Sequence, residues 1–205
     1  MAVNETINAT IVNGVISVDS VLERFLELVT APYTHPDLLW ITIPLVIALV
    51  AMDIYFGRYW QEELGWNTAF GNSLALLFVT MDLMRELWTS IAVPSFASLV
   101  SENLKGVIVV LFLGLGSLWL LLAHFFHILP KKLAFLVSSR LPTTVFAYLA
   151  IVLIYTQIPL DKITLISAVV LFIVLLVVLK LIQLFVPMYI PKETASELVR
   201  KGKRR

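Results

Sequence analysis

Five stretches of mainly apolar residues divide this chain, at positions 37–56, 69–92, 105–129, 142–158 and 163–186. Each is close to the roughly 20 residues that a helix needs to cross a hydrocarbon core of about 30 Å. An unpaired strand edge in lipid would leave backbone N–H and C=O groups without partners, so the spans are read as helices. The pattern predicts an all-α, polytopic bundle of five transmembrane helices. Composition agrees, with 60% of the 205 residues hydrophobic and 14% charged, where soluble domains carry about 25% charged residues. The third and fifth spans are the plainest. The second carries Asp82, Arg85 and Glu86 and is followed by Pro94.

Lys and Arg in the connections set the orientation. One side receives Arg58, Lys131, Lys132, Arg140, Lys192, Arg200, Lys201, Lys203, Arg204 and Arg205, and the other Arg24, Lys105 and Lys162, ten against three. The amino terminus is therefore expected outside and the carboxy terminus in the cytoplasm. Asn4-Glu5-Thr6 and Asn8-Ala9-Thr10 are glycosylation sequons on the exported side, which makes Asn4 and Asn8 acceptor candidates. Aromatic residues gather at the expected interfaces, Tyr55, Tyr59, Trp60 and Trp66 inside and Trp40 and Trp88 outside, as membrane anchors do.

The expected organisation is an exported segment over 1–36, a membrane domain over 37–190 and a basic cytoplasmic tail over 191–205. Within the first, residues 17–32 read as a short amphipathic helix capped by Asp19 or Ser20, with Val21, Leu22, Phe25, Leu26 and Val29 at helical spacing. Its polar face, Glu23 and Glu27, is acidic, so it is placed on the outer surface or over the bundle mouth without attraction to anionic lipid. The tail, with Lys201, Lys203, Arg204 and Arg205, suits anionic headgroups, each charge contributing about 1 kcal/mol. Nucleic acid is not the expected partner. The cell membrane is the expected location, or the endoplasmic reticulum in a eukaryote, where the tail resembles a dilysine retrieval signal.

The stretch FVTMDLMRELW places three ionisable groups inside the second span. On a helical wheel Asp82, Arg85, Glu86 and Asn72 share one face, within roughly 80° of Asp82, and Arg85 can pair with Asp82 at i, i+3. A charge at the bilayer centre costs about 2.5–3.5 kcal/mol, so this face needs protein, water or an ion beside it. Two readings follow: a pathway for cations or protons, or a buried pair that fixes register or docks a partner. Docking is preferred because no coupling-ion motif accompanies the triplet.

A second polar group, Asp53, His124, His127 and Lys180, falls at the cytoplasmic ends of spans one, three and five, with Asn72 nearby. Two imidazoles at i, i+3 on one helix face could hold a metal with Asp53. The plainer readings are Lys180 snorkelling to the interface, histidines at headgroup level, and Asp53 neutralising Lys180. No metal or cofactor is assigned. Gly114, Gly116 and Ser117 would let a helix approach span three closely. Spans four and five, joined by Pro159–Lys162, are read as an antiparallel hairpin serving as scaffold or facing lipid.

With no cysteine, the chain has no disulfide, thiol nucleophile or Cys-held metal. It has no phosphate-binding P-loop, HExxH, GxSxG or dinucleotide fingerprint. Glu62-Glu63 matches the first residues of an intramembrane prenyl-protein protease motif, but GWN stands where that motif carries arginine. The functional readings are, in order, a non-catalytic membrane subunit or scaffold docking a membrane partner, a small homo-oligomeric cation or proton channel or transporter, and a membrane enzyme with an inner-face Asp/His site.

Overall fold

The computed structural model describes residues 17–59, 65–91 and 95–186. Among them all regular structure is helical: α1 (Val18–Thr34), a 3-10 turn (Pro36–Leu38), α2 (Leu39–Arg58), α3 (Trp66–Thr89), α4 (Phe96–Phe125), α5 (Lys131–Val137), α6 (Arg140–Thr156) and α7 (Lys162–Phe185). Asn4, Asn8, Trp60, Glu62, Glu63 and the tail residues Lys201, Lys203, Arg204 and Arg205 lie outside the described residues.

Four segments are long and apolar enough to cross a membrane: Pro36–Arg58, Phe96–Phe125, Lys131–Thr156 and Lys162–Phe185. They match the first, third, fourth and fifth expected spans, and they suit an integral membrane protein. The second expected span, α3, has 24 residues, about 36 Å of helix. It differs in composition, because Asn67, Asn72 and the charged triplet dilute its apolar residues.

Local chemistry sets the helix ends. Ser95 caps α4 through a capping box with Ser98, so this helix starts well before residue 105, and it breaks at Asn103 (φ −131°, ψ 40°). Its far end closes as a Schellman turn, with Ile128 N–H donating to the Ala123 carbonyl and His127 N–H to that of His124. His127 takes the left-handed position (φ 53°) usually given to glycine.

The amphipathic helix forms, with two corrections. Its cap is Ser17, which accepts from Ser20 N–H at 3.1 Å, and not Asp19 or Ser20. Its buried face is Ser20, Arg24, Leu28, Ala31 and Pro32, while Leu22, Leu26 and Val29 are exposed. Polar contacts decide that choice. Arg24 Nη1 meets Glu27 at 2.8 Å, and Nη2 lies 3.9 Å from Asp161, the cap of α7. Ser167 Oγ donates to the Val21 carbonyl at 3.0 Å.

Helix α6 is the central post, touching α1, α2, α3, α4 and α7. In the apolar stretch of Lys131–Thr156, most of which is α6, 39% of residues are buried, against 22–28% in the other three long apolar segments. The hairpin of α6 and α7 is thus scaffold in its first arm, while its second arm, α7, presents a broad apolar exterior, Leu165, Val169, Ile173 and Leu176 among its exposed residues. The most extensive helix pairing is α3 with α4. Gly114 lets Thr80 approach so nearly that a β-carbon there would stand 2.9 Å from Thr80 Cγ2, and Ser117 is fully buried in the same seam. Gly116 faces open space and takes no part in this approach.

Candidate functional site

Helix α3 is pinned through Ala69, Ser73, Leu76, Val79, Thr80, Leu83 and Leu87, which are buried. That leaves the charged triplet on the side turned towards α2. There a cleft of about 780 Å³ opens, walled by Trp40, Pro44 and Ala48 of α2 and by Phe78, Asp82, Arg85 and Glu86 of α3. Asp37 of the 3-10 turn and Tyr155 of α6 complete its lining.

The expected Asp82–Arg85 pair is present, with Arg85 Nη2 donating to Asp82 Oδ1 at 2.8 Å. The other carboxylate oxygen accepts from the Tyr155 hydroxyl at 3.2 Å. Asp82 is thus satisfied from two helices, yet Arg85 remains 70% exposed. The charges lie on the flank of the bundle, outside its core. Asn72, assigned to the same face, lines a smaller cavity of about 90 Å³ with Thr143, Thr144 and Arg140. This cavity shares Leu45, Ala48, Ala75 and Val79 with the cleft, and Asn72 Nδ2 donates to the Ser138 carbonyl at 2.7 Å.

The second polar group divides. Asp53, 6% exposed, accepts at Oδ1 from Gln183 Nε2 at 2.9 Å, and Gln183 Oε1 accepts in turn from Lys180 Nζ at 3.0 Å. Asp53 and Lys180 therefore communicate through an amide and make no direct ion pair. Arg140 donates to the Met52 carbonyl and lays its guanidinium over the Phe56 ring, 4.2 Å from the centroid, as a cation–π contact does.

His124 belongs elsewhere. It is buried between Ser73, 3.1 Å from Nδ1, and Ser138, 3.1 Å from Nε2. The Ser73 hydroxyl proton goes to the Ala69 carbonyl at 3.0 Å, so Ser73 Oγ accepts from Nδ1–H. In the neutral ring Nε2 then accepts from Ser138 Oγ–H. Neither nitrogen is left for a metal ion. His127, carried off the helix by its left-handed backbone, packs edge-on against Trp66 at 4.3 Å. The shared His124/His127 face is thus lost because the helix ends between them. No three His, Asp or Glu side chains group to hold a metal ion among the described residues.

Tyr155, Gln183, Ser73 and Ser138 are site residues that sequence reasoning missed. Their one available signal was general: a hydroxyl or amide within an apolar helix must find a partner. Which partner it finds depends on how the helices pack. Comparison with protein-family models, curated proteins and solved structures finds no match for this chain.

Proposed function

We propose that this chain is a five-span protein of the cell membrane, amino terminus outside and carboxy terminus cytoplasmic. It acts as a non-catalytic subunit whose cleft between α2 and α3 seats a transmembrane helix of a partner protein. That helix brings a Lys or Arg to the depth of Asp82 and Glu86.

The direction in which the triplet faces carries this reading. Charges on the flank of a lone bundle would meet hydrocarbon, at a cost of about 2.5–3.5 kcal/mol each at the bilayer centre. The cleft lining holds three carboxylates, Asp37, Asp82 and Glu86, against the single guanidinium of Arg85. A cationic partner offsets that surplus, and the apolar walls from Trp40 to Ala48 suit the rest of a membrane helix.

The second reading, a homo-oligomeric cation or proton pathway, draws support from the continuity of cleft and inner cavity. Along that line Asp82 and Tyr155 are followed by Asn72, Thr143 and Thr144. It ranks lower because Arg140 ends the line with a positive charge, and about 90 Å³ holds only about three waters at roughly 30 Å³ each.

Native mass spectrometry after gentle extraction from the protein's own membranes, repeated with Asp82→Asn, separates the two. A different protein bound in fixed ratio and lost in the variant is the expected result. A homo-oligomer whose cation flux in liposomes falls with Asp82→Asn would establish the pathway instead. A variant that alters neither assembly nor flux would remove the triplet from both readings.

A further inference from the structure

Helix α1 divides lengthwise into three sectors. Taking Arg24 as zero on a helical wheel, the buried residues Ser20, Arg24, Leu28, Ala31 and Pro32 fall between about −40° and 80°. Val18, Leu22, Leu26, Val29 and Tyr33, all exposed, fall between about 120° and 200°. The exposed Asp19, Glu23, Thr30 and Thr34 fall between about 220° and 280°. A helix standing in water beside a bundle has no use for the second sector. One standing upright in lipid has no use for the third. A helix with all three has protein on one side, hydrocarbon on another and water on the last.

Two contacts, seven residues apart, give its depth. The Val21 carbonyl meets Ser167, six residues past the α7 cap Asp161, and the Leu28 carbonyl meets Tyr148, eight residues before the end of α6 at Thr156. At 1.5 Å per residue these partners lie about 9 Å and 12 Å along their helices from that end of the bundle. Such similar depths describe a helix lying across the bundle's flank. An interfacial helix sinks its apolar face about 5–10 Å below the headgroups. Arg24 leaves the helix on the protein side and reaches Asp161 at the end of α7, so its charge is answered without entering lipid.

We propose that α1 is an in-plane membrane helix, with Val18, Leu22, Leu26, Val29 and Tyr33 seated among the acyl chains of the leaflet at the Asp161 end of the bundle. The acidic sector faces the headgroups, so neutral lipid serves as well as anionic lipid. This inference does not depend on what fills the cleft of α2 and α3, only on the bundle lying in a membrane.

The absence of native cysteine allows a direct test. Leu22→Cys, Leu26→Cys and Val29→Cys, and separately Asp19→Cys, Glu23→Cys and Thr30→Cys, are labelled with a nitroxide in the full chain. Each is reconstituted into phosphatidylcholine liposomes, and collision rates with oxygen and with a water-soluble nickel complex are read by electron paramagnetic resonance. The expected result is oxygen dominating at 22, 26 and 29 and nickel at 19, 23 and 30. Nickel dominating at all six would put α1 in water and overturn the proposal. Low collision rates with both reagents at 22, 26 and 29 would mean protein covers that face, which overturns it equally.

Discussion

The Tyr155 hydroxyl on α6 donates to Asp82 Oδ2 on α3 at 3.2 Å, while Arg85 holds the opposite oxygen at 2.8 Å. The two donors differ in surroundings. Arg85 is 70% exposed, and its long side chain can snorkel to the headgroups and water, where ion pairs contribute about 0–1 kcal/mol. Tyr155 is half-buried where α6 meets the cleft, and a hydrogen bond to a charged group is worth about 1.5–3 kcal/mol. Tyr155→Phe should therefore lower the unfolding midpoint in detergent more than Arg85→Gln does. The reverse order would assign the carboxylate's support to the ion pair.

Pro32 lies inside α1 and lacks the N–H that would bond the Leu28 carbonyl one turn earlier. Tyr148 supplies the missing donor, its hydroxyl 2.6 Å from that carbonyl. Tyr148→Phe leaves a part-buried acceptor unpaired and should cost about 1–3 kcal/mol. In a Pro32→Ala background the helix can make its own bond, and the cost of Tyr148→Phe should fall. A double-mutant cycle on unfolding free energies measures this coupling; additive effects would show that Pro32 and Tyr148 act separately.

His124→Leu strips both Ser73 and Ser138 of their imidazole partner. Ser73 keeps its bond to the Ala69 carbonyl, so Ser138 is the group left unpaired, and one unsatisfied buried group should cost about 1–3 kcal/mol. Adding Ser138→Ala to His124→Leu should recover part of it. Zinc ions should leave the wild-type unfolding midpoint unchanged, because Ser73 and Ser138 occupy both ring nitrogens. A zinc-dependent rise that His124→Leu abolishes would return the metal reading to this residue.

Gly114 and Gly116 are two residues apart on α4 and should respond oppositely to alanine. A methyl at Gly114 meets Thr80 Cγ2 at 2.9 Å, whereas none lies within 4 Å at Gly116. Gly114→Ala should destabilise by about 1–3 kcal/mol through overpacking. Gly116→Ala should stabilise by about 0.5–1 kcal/mol through helix propensity. Thermal unfolding of the two variants compares them directly.

Several features were legible before any packing was known because they depend on near neighbours alone. The Asp82–Arg85 bridge follows from i, i+3 spacing on one helix. The helices that later proved long and apolar enough to span follow from runs of apolar residues. The inner polar group was not legible, since depth along the chain says nothing of rotation about each helix. Depth allowed Asp53, His124, His127 and Lys180 to meet. The packing turned His124 to two serines, placed Gln183 between Asp53 and Lys180, and let a left-handed turn take His127 away.

What the sequence determined by itself is the solvent this chain requires and the helical form that solvent enforces. Apolar runs of about 20 residues demand lipid, and lipid demands that each segment satisfy its own backbone. Tertiary structure alone decided which faces meet. The apolar stripe of α1 promised a packed face, yet the helix turned Arg24 and Ser20 inward, on the side where Ser167 and Tyr148 donate to the Val21 and Leu28 carbonyls and Asp161 stands 3.9 Å from the Arg24 guanidinium. In lipid an apolar side chain gains little by leaving its surroundings, whereas an unpaired polar group pays heavily for staying. In α1 the buried face therefore followed its polar contacts with α6 and α7 more than hydropathy, and a pattern of hydropathy could not show it.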